Sequence, residues 1–465
     1  MSKPIQHLNI STYAFFAVFL VLVALAVKTI IFLDLNGSPF PFLDDWRFQN
    51  DKSFITTIFT LNNENFQIFT NALYWLAPRI GIPFWAIRYI SLTLVILLMT
   101  ILYQELKSDL SGFRRSMLLL SFAPFFSAYM AIDLLWNNIT QTWTFFILIL
   151  LSVNFGFIKP QTTKNQLITF VLLLMATFSM NISLPLIFTL IYVIKTFLEC
   201  RQKNKAELKR TFSGSVILTI ILLMLYAHIS HNDTTVYSFK TIFTADYWHW
   251  LSYSLVGMWS GFWIAKENQI FYYITGTAMS LWLVILFFRQ FKNPKHQPIW
   301  AIALLFFGGI ALITLFRGQM MLNITGDASR HIIYAICLIP TVYALGAGDS
   351  SKWLRFLADI WLITVLLCTL STYNTDKLHG NFFHWQSSDA CLMEHLNLNM
   401  HKEDFTCGRF WLDLHEPLSY FLKTDAAFKP YYSNNPAGAA AGFIPYHFEG
   451  KVFYKIPGKK FLLFR

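Results

Sequence analysis

Eleven apolar runs of 14 to 23 residues recur along this chain, most of them near the roughly 20 residues that a helix needs to cross a bilayer. In hydrocarbon no water is present to satisfy a backbone amide, so such runs can be only helices or closed barrels, and runs this long and continuous are helices. The spans read at about Tyr13–Leu35, Phe84–Tyr103, Ser116–Ile132, Ile139–Phe157, Leu167–Met180, Ile182–Leu198, Phe212–Ile229, Ile270–Phe288, Ile299–Phe316, Ile332–Leu345 and Trp353–Thr372. Composition agrees: 55% of the 465 residues are hydrophobic and only 13% charged, half the roughly 25% of a soluble domain. An ordinary soluble enzyme is excluded.

The net charge of +11 would suggest a polyanion partner in a soluble protein. Here it follows topology, because Lys and Arg collect in cytoplasmic loops, and no nucleic-acid partner is expected. Lys107, Arg114 and Arg115, then Lys159 and Lys164, then Lys195 through Arg210, then Arg289 through Lys295, and finally Lys352 and Arg355 share one face if the N-terminus is cytoplasmic. The aromatic stretch Tyr247–Ile264 would break that alternation by crossing fully, so a re-entrant or interfacial segment is expected, with Trp248, Trp250, Trp259 and Trp263 at headgroup depth. A twelfth span is the alternative. The N-terminal run has no small-residue cleavage site after it and reads as a retained anchor.

Residues 1–372 therefore form an all-α polytopic membrane domain, and two segments are too long and polar to be connectors. The first loop, residues 36–83, carries the amphipathic sets Phe54, Ile55, Ile58, Phe59 and Phe66, Ile68, Phe69, Leu73, Trp75, the pattern of helices lying on a membrane surface. The tail, residues 373–465, alternates at Val452, Tyr454, Ile456 and again near Phe461–Phe464, which predicts a small mixed domain ending in a hairpin. Both fall on the periplasmic side. Cys391 and Cys407 in the tail are a candidate disulfide that would stabilise such a domain by roughly 3 kcal/mol; two unpaired thiols are the alternative.

The sharpest local signal is Phe42-Leu43-Asp44-Asp45-Trp46, just beyond the first span. A carboxylate at that depth can take the proton of a sugar hydroxyl while a lipid-phosphate leaving group stays among the headgroups. It can equally cap a surface helix. In the same loop Asn63 and Glu64 belong to a run of amides and acids, groups that read hydroxyls or form a polar turn. Trp136, Asn137, Asn138 and Gln141 stand at the mouth of the fourth span, facing either a cleft or a partner helix. Arg317, Arg330 and His331 flank a late outer loop and are the candidate phosphate-binding group, with Arg330 foremost; snorkelling toward headgroups is the competing use. His228 and His231 lack the companions of a metal site. No P-loop, dinucleotide fingerprint or serine elbow is present. No cofactor is called for, and a divalent metal stays open.

Asp44-Asp45-Trp46, Asn63-Glu64-Asn65, Trp136 with Gln141, and Ala328-Ser329-Arg330-His331 together resemble the layout of bacterial polytopic glycosyltransferases of the GT-C superfamily, including serotype-converting O-antigen glucosyltransferases. The resemblance covers the membrane region and not the tail. It implies an inner-membrane enzyme with a polyprenyl-phosphate (undecaprenyl-phosphate) sugar donor, inverting transfer at the periplasmic face, and Asp44 or Asp45 as base, Asp45 slightly preferred. The acceptor would be a lipopolysaccharide O-antigen or related glycan and the sugar a hexose such as glucose. Two departures stand out. Asn65-Phe66 replaces an expected His-Arg, and His331 replaces a Tyr. An O-antigen polymerase, or a transporter or flippase of lipid-linked glycan, is the alternative.

Overall fold

The computed structural model describes residues 10–36, 52–59, 67–127, 130–131, 134, 140–160, 162–180, 183–203, 206–231, 243–245, 248, 269–291, 293, 295–322, 329–371, 424, 444–448 and 451–455. The chain is helical over nearly all of these. We label α1 Ile10–Asn36, α2 Phe54–Ile58, α3 Ile68–Arg79, α4 Ile87–Leu106, α5 Phe113–Leu120, α6 Thr140–Val153, α7 Thr163–Ser179, α8 Ser183–Lys203, α9 Ala206–His231, α10 Gln269–Gln290, α11 Gln297–Leu322, α12 Ser329–Ala347 and α13 Lys352–Ser371. A 3-10 turn, Phe84–Ala86, leads into α4, and a π-helical turn, Asn154–Ile158, prolongs α6.

Among the described residues four helical stretches are long and apolar enough to cross a membrane: Ser11–Leu33, Phe84–Leu106, Thr140–Ile158 and Lys352–Leu370. Apolar helices also occupy the other predicted spans, with one exception. The expected third span, Ser116–Ile132, is not a continuous helix. It stops at Leu120, turns at Ser121 and Phe122, and resumes as a 3-10 turn at Ala123–Phe126. Pro124 is the cause, since it has no amide hydrogen to give the Leu120 carbonyl four residues back. The Ser121 hydroxyl donates to the Leu118 carbonyl at 2.6 Å where the helix frays. Of Tyr247–Ile264, expected to be re-entrant or interfacial, all but Trp248 lies outside the described residues.

The chain divides into two compact units, one of residues 1–28, 95–130 and 145–374, the other of 29–94, 131–144 and 375–465. In the first, α8 pairs with α9, α11 lies between α8 and α12, and α12 also packs on α5 and α13. Helix α12 is the centre of this unit, buried without a break from Ile333 to Leu345. The Phe146 ring sits edge-on to Tyr334 at 4.8 Å and to Phe306 at 5.4 Å, the geometry that aligns ring edges with ring faces. Small residues permit the tightest crossings. A Cβ on Gly309 would meet Tyr334 Cε1 at 2.5 Å, and one on Gly346 would meet Trp282 Cζ2 at the same distance. Pro340 inside α12 costs one backbone hydrogen bond, and next to it the Thr341 hydroxyl donates to the Cys337 carbonyl at 2.9 Å.

One end of this unit is tied by charge. Asp349, buried in the turn between α12 and α13, accepts from Arg289 Nη2 at 3.2 Å, Gln290 Nε2 at 3.0 Å and the Ser351 amide at 2.8 Å. Burial works against its ionisation, but the Ser351 amide, the Arg289 guanidinium and the Gln290 amide outweigh it and hold the carboxyl below its ordinary range. Beside it, His296 Nδ1 lies 3.8 Å from Asp109 Oδ2. In the tail, Ile444–Phe448 pairs antiparallel with Lys451–Lys455, Phe448 opposite Lys451. The alternating segment around Val452 and Tyr454 is thus a strand, paired with Ile444–Phe448, and Phe461–Phe464 lie outside the described residues.

Two outcomes follow from this packing. Gly309→Ala should destabilise the detergent-solubilised protein by about 1–3 kcal/mol, because Tyr334 must yield to the added methyl; an unchanged thermal midpoint would show that the crossing has slack. Asp349→Asn should cost about 1–3 kcal/mol near neutral pH. With its folded pKa depressed, Asp349 contributes fully above the unfolded value of about 3.9 and loses that contribution as pH falls through the lower folded value. The variant's stability should therefore fall less steeply than the wild type's on acidification, read by denaturation at stepped pH.

Candidate functional site

The first apolar helix must release the chain into the acidic loop at a defined point, and a buried arginine sets that point. Arg88, in the first turn of α4, is 1% exposed. Its Nη1 donates to the Leu33 carbonyl at 3.2 Å and its Nε to the Trp85 carbonyl at 2.6 Å. Leu33 belongs to the last turn of α1, whose carbonyls have no partner within the helix. A guanidinium there satisfies one of them and complements the negative end of the helix dipole. The residue that ends α1, Asn36, is followed eight positions later by Asp44.

Around this anchor the second unit builds a polar frame. The hydroxyls of Ser91 on α4 and Thr140, first residue of α6, are 2.6 Å apart and buried. This bond fixes the start of α6 beside α4. The next residue, Gln141, has a buried side-chain oxygen with no hydrogen-bond partner among the described residues, and Trp143 is fully buried. Helices α2 and α3 form a pair: Ser53 caps α2 by accepting from the Thr56 amide at 3.2 Å, and Asn71 Nδ2 reaches the Ile58 carbonyl at 3.5 Å. Phe54 lies edge-on to Trp75 at 4.9 Å, and the Arg79 guanidinium stacks on Trp75 at 3.7 Å. Tyr74 on α3 packs against Phe84 at 5.2 Å.

The pair has two unlike faces. Ile55, Phe59, Leu76 and Ile80 are exposed, while Gln67, Thr70, Asn71, Tyr74 and Ala77 are buried along one side of α3. An outer surface of this kind costs free energy in water and little at a lipid interface.

Of the residues named from the sequence, Gln141 is the one whose side chain is described. Asp44, Asp45, Trp46, Asn63, Glu64, Trp136, Cys391 and Cys407 lie outside the described residues. Arg317 lies in α11, and Arg330 and His331 open α12; their backbone is helical and their side chains are outside the description. Neither of the described cysteines Cys337 and Cys368 is in a disulfide. Among the described residues no group of three or more His, Cys, Asp and Glu side chains could hold a metal. Asp359 pairs locally, accepting from the Tyr343 hydroxyl at 2.9 Å with Arg114 at 3.9 Å.

Arg88 and the Ser91–Thr140 bond were not among the sequence candidates. Arg88 had a visible signal: a charge four residues inside the apolar stretch that starts at Phe84 needs a buried partner. Ser91 and Thr140 had none, since a hydroxyl in an apolar helix ordinarily bonds its own backbone.

The fold that emerges is that of a helical protein with apolar helices long enough to span a membrane and, in one unit, a frame of buried polar groups around Arg88, Ser91 and Thr140. No family model, no curated protein and no solved structure matches the chain.

Replacing Arg88 with Ala should cost about 2–5 kcal/mol, since it removes a large buried side chain and strands the Leu33 carbonyl. Thermal unfolding in detergent measures this; a loss under about 0.5 kcal/mol, the range of a surface change, would mean the anchor is dispensable.

Proposed function

We propose that this protein is an inner-membrane glycosyltransferase that moves a hexose from a polyprenyl-phosphate donor to a cell-surface glycan, with Asp44 or Asp45 as the general base. The observation that carries this reading is Gln141. A residue singled out from sequence at the mouth of the fourth span, facing either a cleft or a partner helix, has its carbonyl oxygen buried and unpartnered at the start of α6, beside a helix start held by Thr140 and Ser91. An unsatisfied buried acceptor costs about 1–3 kcal/mol, which a hydroxyl donor from a bound ligand would offset. The exposed apolar side of α2 and α3 supports a first loop seated at the membrane surface, where the lipid phosphate of the donor would lie.

In this reading the aspartate withdraws the acceptor hydroxyl proton as oxygen attacks the anomeric carbon, and the sugar–phosphate bond breaks on the opposite side. Arg330, with His331 and Arg317, would hold the phosphate as it gains charge. Trp46 and Trp136 would stack on the sugar, and Asn63 and Glu64 would bind its hydroxyls. The acceptor is proposed to be a lipopolysaccharide O-antigen, and the chain is placed with its N-terminus in the cytoplasm and its tail in the periplasm.

Asp44→Ala and Asp45→Ala should both accumulate in membranes at wild-type levels. One of them should lower transfer about 10²–10⁴-fold, measured by mass and linkage analysis of the host glycan with and without the protein. Unchanged glycan modification in both variants sinks the assignment.

A further inference from the structure

A second set of unsatisfied buried groups lies on α3, apart from every residue invoked above. The buried side of this helix runs Gln67, Thr70, Asn71, Tyr74, Ala77, spacing that puts all five on one face. Its lower part is apolar and packs through Tyr74 on Phe84. The upper turn is polar, and Asn71 is engaged there by α2. Gln67 Oε1 and Thr70 Oγ1 have no hydrogen-bond partner among the described residues, although Gln67 is 2% and Thr70 0% exposed.

Both departures have a local cause. Several helical threonines among the described residues bond the carbonyl four residues back, as Thr93, Thr100, Thr144, Thr177, Thr341 and Thr369 do. For Thr70 that position is Phe66, which precedes the helix, so the intrahelical acceptor is missing. Gln67 occupies the N-cap position and makes no side-chain capping bond. Ser, Thr, Asp or Asn would cap this end, so the glutamine does not serve the helix.

The first turn of α3 thus offers a buried acceptor, a hydroxyl that can donate or accept, and the amides of Ile68, Phe69 and Thr70, which have no acceptor within the helix. The amides alone would suit an anion. An anion would, however, face the lone pairs of Gln67 Oε1. A neutral hydroxyl fits both kinds of group, donating to the glutamine oxygen and accepting from an amide or from Thr70. Neighbouring hydroxyls on a pyranose ring provide several such groups at once.

We propose that the first turn of α3, through Gln67 and Thr70, is a subsite for hexose hydroxyls. It rests on the glycosyltransferase reading for its role, which is to orient the donor sugar or the acceptor sugar, and on its own geometry for binding.

The test uses the purified full chain in detergent with methyl β-D-glucopyranoside, polyprenyl-phosphate glucose, polyprenyl phosphate and inorganic phosphate as probes. Thr70→Val and Gln67→Leu keep shape and remove the polar atoms. Without ligand both variants should melt at or above the wild-type temperature, because an unpaired buried polar group has been removed. Each should weaken binding of a glucose-bearing probe about tenfold, the loss of one hydrogen bond, and leave polyprenyl phosphate unaffected. Weakening confined to polyprenyl-phosphate glucose assigns the subsite to the donor, and weakening confined to the methyl glucoside assigns it to the acceptor. Unchanged binding of both glucose probes, competition by inorganic phosphate, or a lowered melting temperature in both variants overturns the proposal. A chain that binds glucose through α3 yet transfers nothing overturns the transferase reading alone. Normal transfer and normal glucose binding in both variants overturn the subsite alone.

Discussion

Where no water reaches the backbone, every amide and carbonyl must find a partner inside the protein, and much of the described structure can be read as an answer to that demand. Helices meet it along their length and fail at their ends. The cost is visible wherever a helix is interrupted. Pro124 stops the helix that begins at Phe113, and Ser121 supplies a hydroxyl where the helix gives out. Pro340 is tolerated within α12, with Thr341 bonding back to Cys337 beside it. At the end of α1 the response is larger, a buried guanidinium from α4 reaching the Leu33 carbonyl.

Burying a charge is expensive, so residues such as Arg88 and Asp349 carry information about what must be held still. Arg88 holds the last turn of the helix from which the acidic loop departs. Asp349 gathers the end of α10 and the start of α13 at one turn, with three donors around one carboxylate. Both are fully engaged. Gln67, Thr70 and Gln141 show the opposite condition, buried oxygen atoms without partners. Other buried side-chain atoms, Ser116 Oγ and Gln290 Oε1 among them, share that condition, and a buried oxygen without a partner is an atom that a ligand's hydroxyl would satisfy.

Much of the helical layout was legible from sequence because its signal is local. An apolar run of spanning length is a property of consecutive residues, and α4, α6 and α13 coincide with their predicted spans to within a few residues. The broken third span shows the limit. Its apolar content was read as continuity, while Pro124 removes a backbone donor without changing hydropathy. The helices at Phe54–Ile58 and Ile68–Arg79 were also readable, because an amphipathic repeat needs no knowledge of what lies opposite. Gln141 was chosen by its place at a helix mouth, and the atom that makes it informative is its buried oxygen.

The sequence by itself determined that this chain is helical, apolar enough for a membrane, and marked by acidic residues just beyond its first span. Composition and run length suffice for that, since transfer from water to lipid is summed residue by residue. Only the tertiary structure decided that Arg88 closes α1, that Ser91 meets Thr140, and which polar atoms are left without partners. These depend on residues tens of positions apart meeting within about 3 Å. No local pattern encodes such a meeting, and a hydrogen bond that falls short by an ångström is not made.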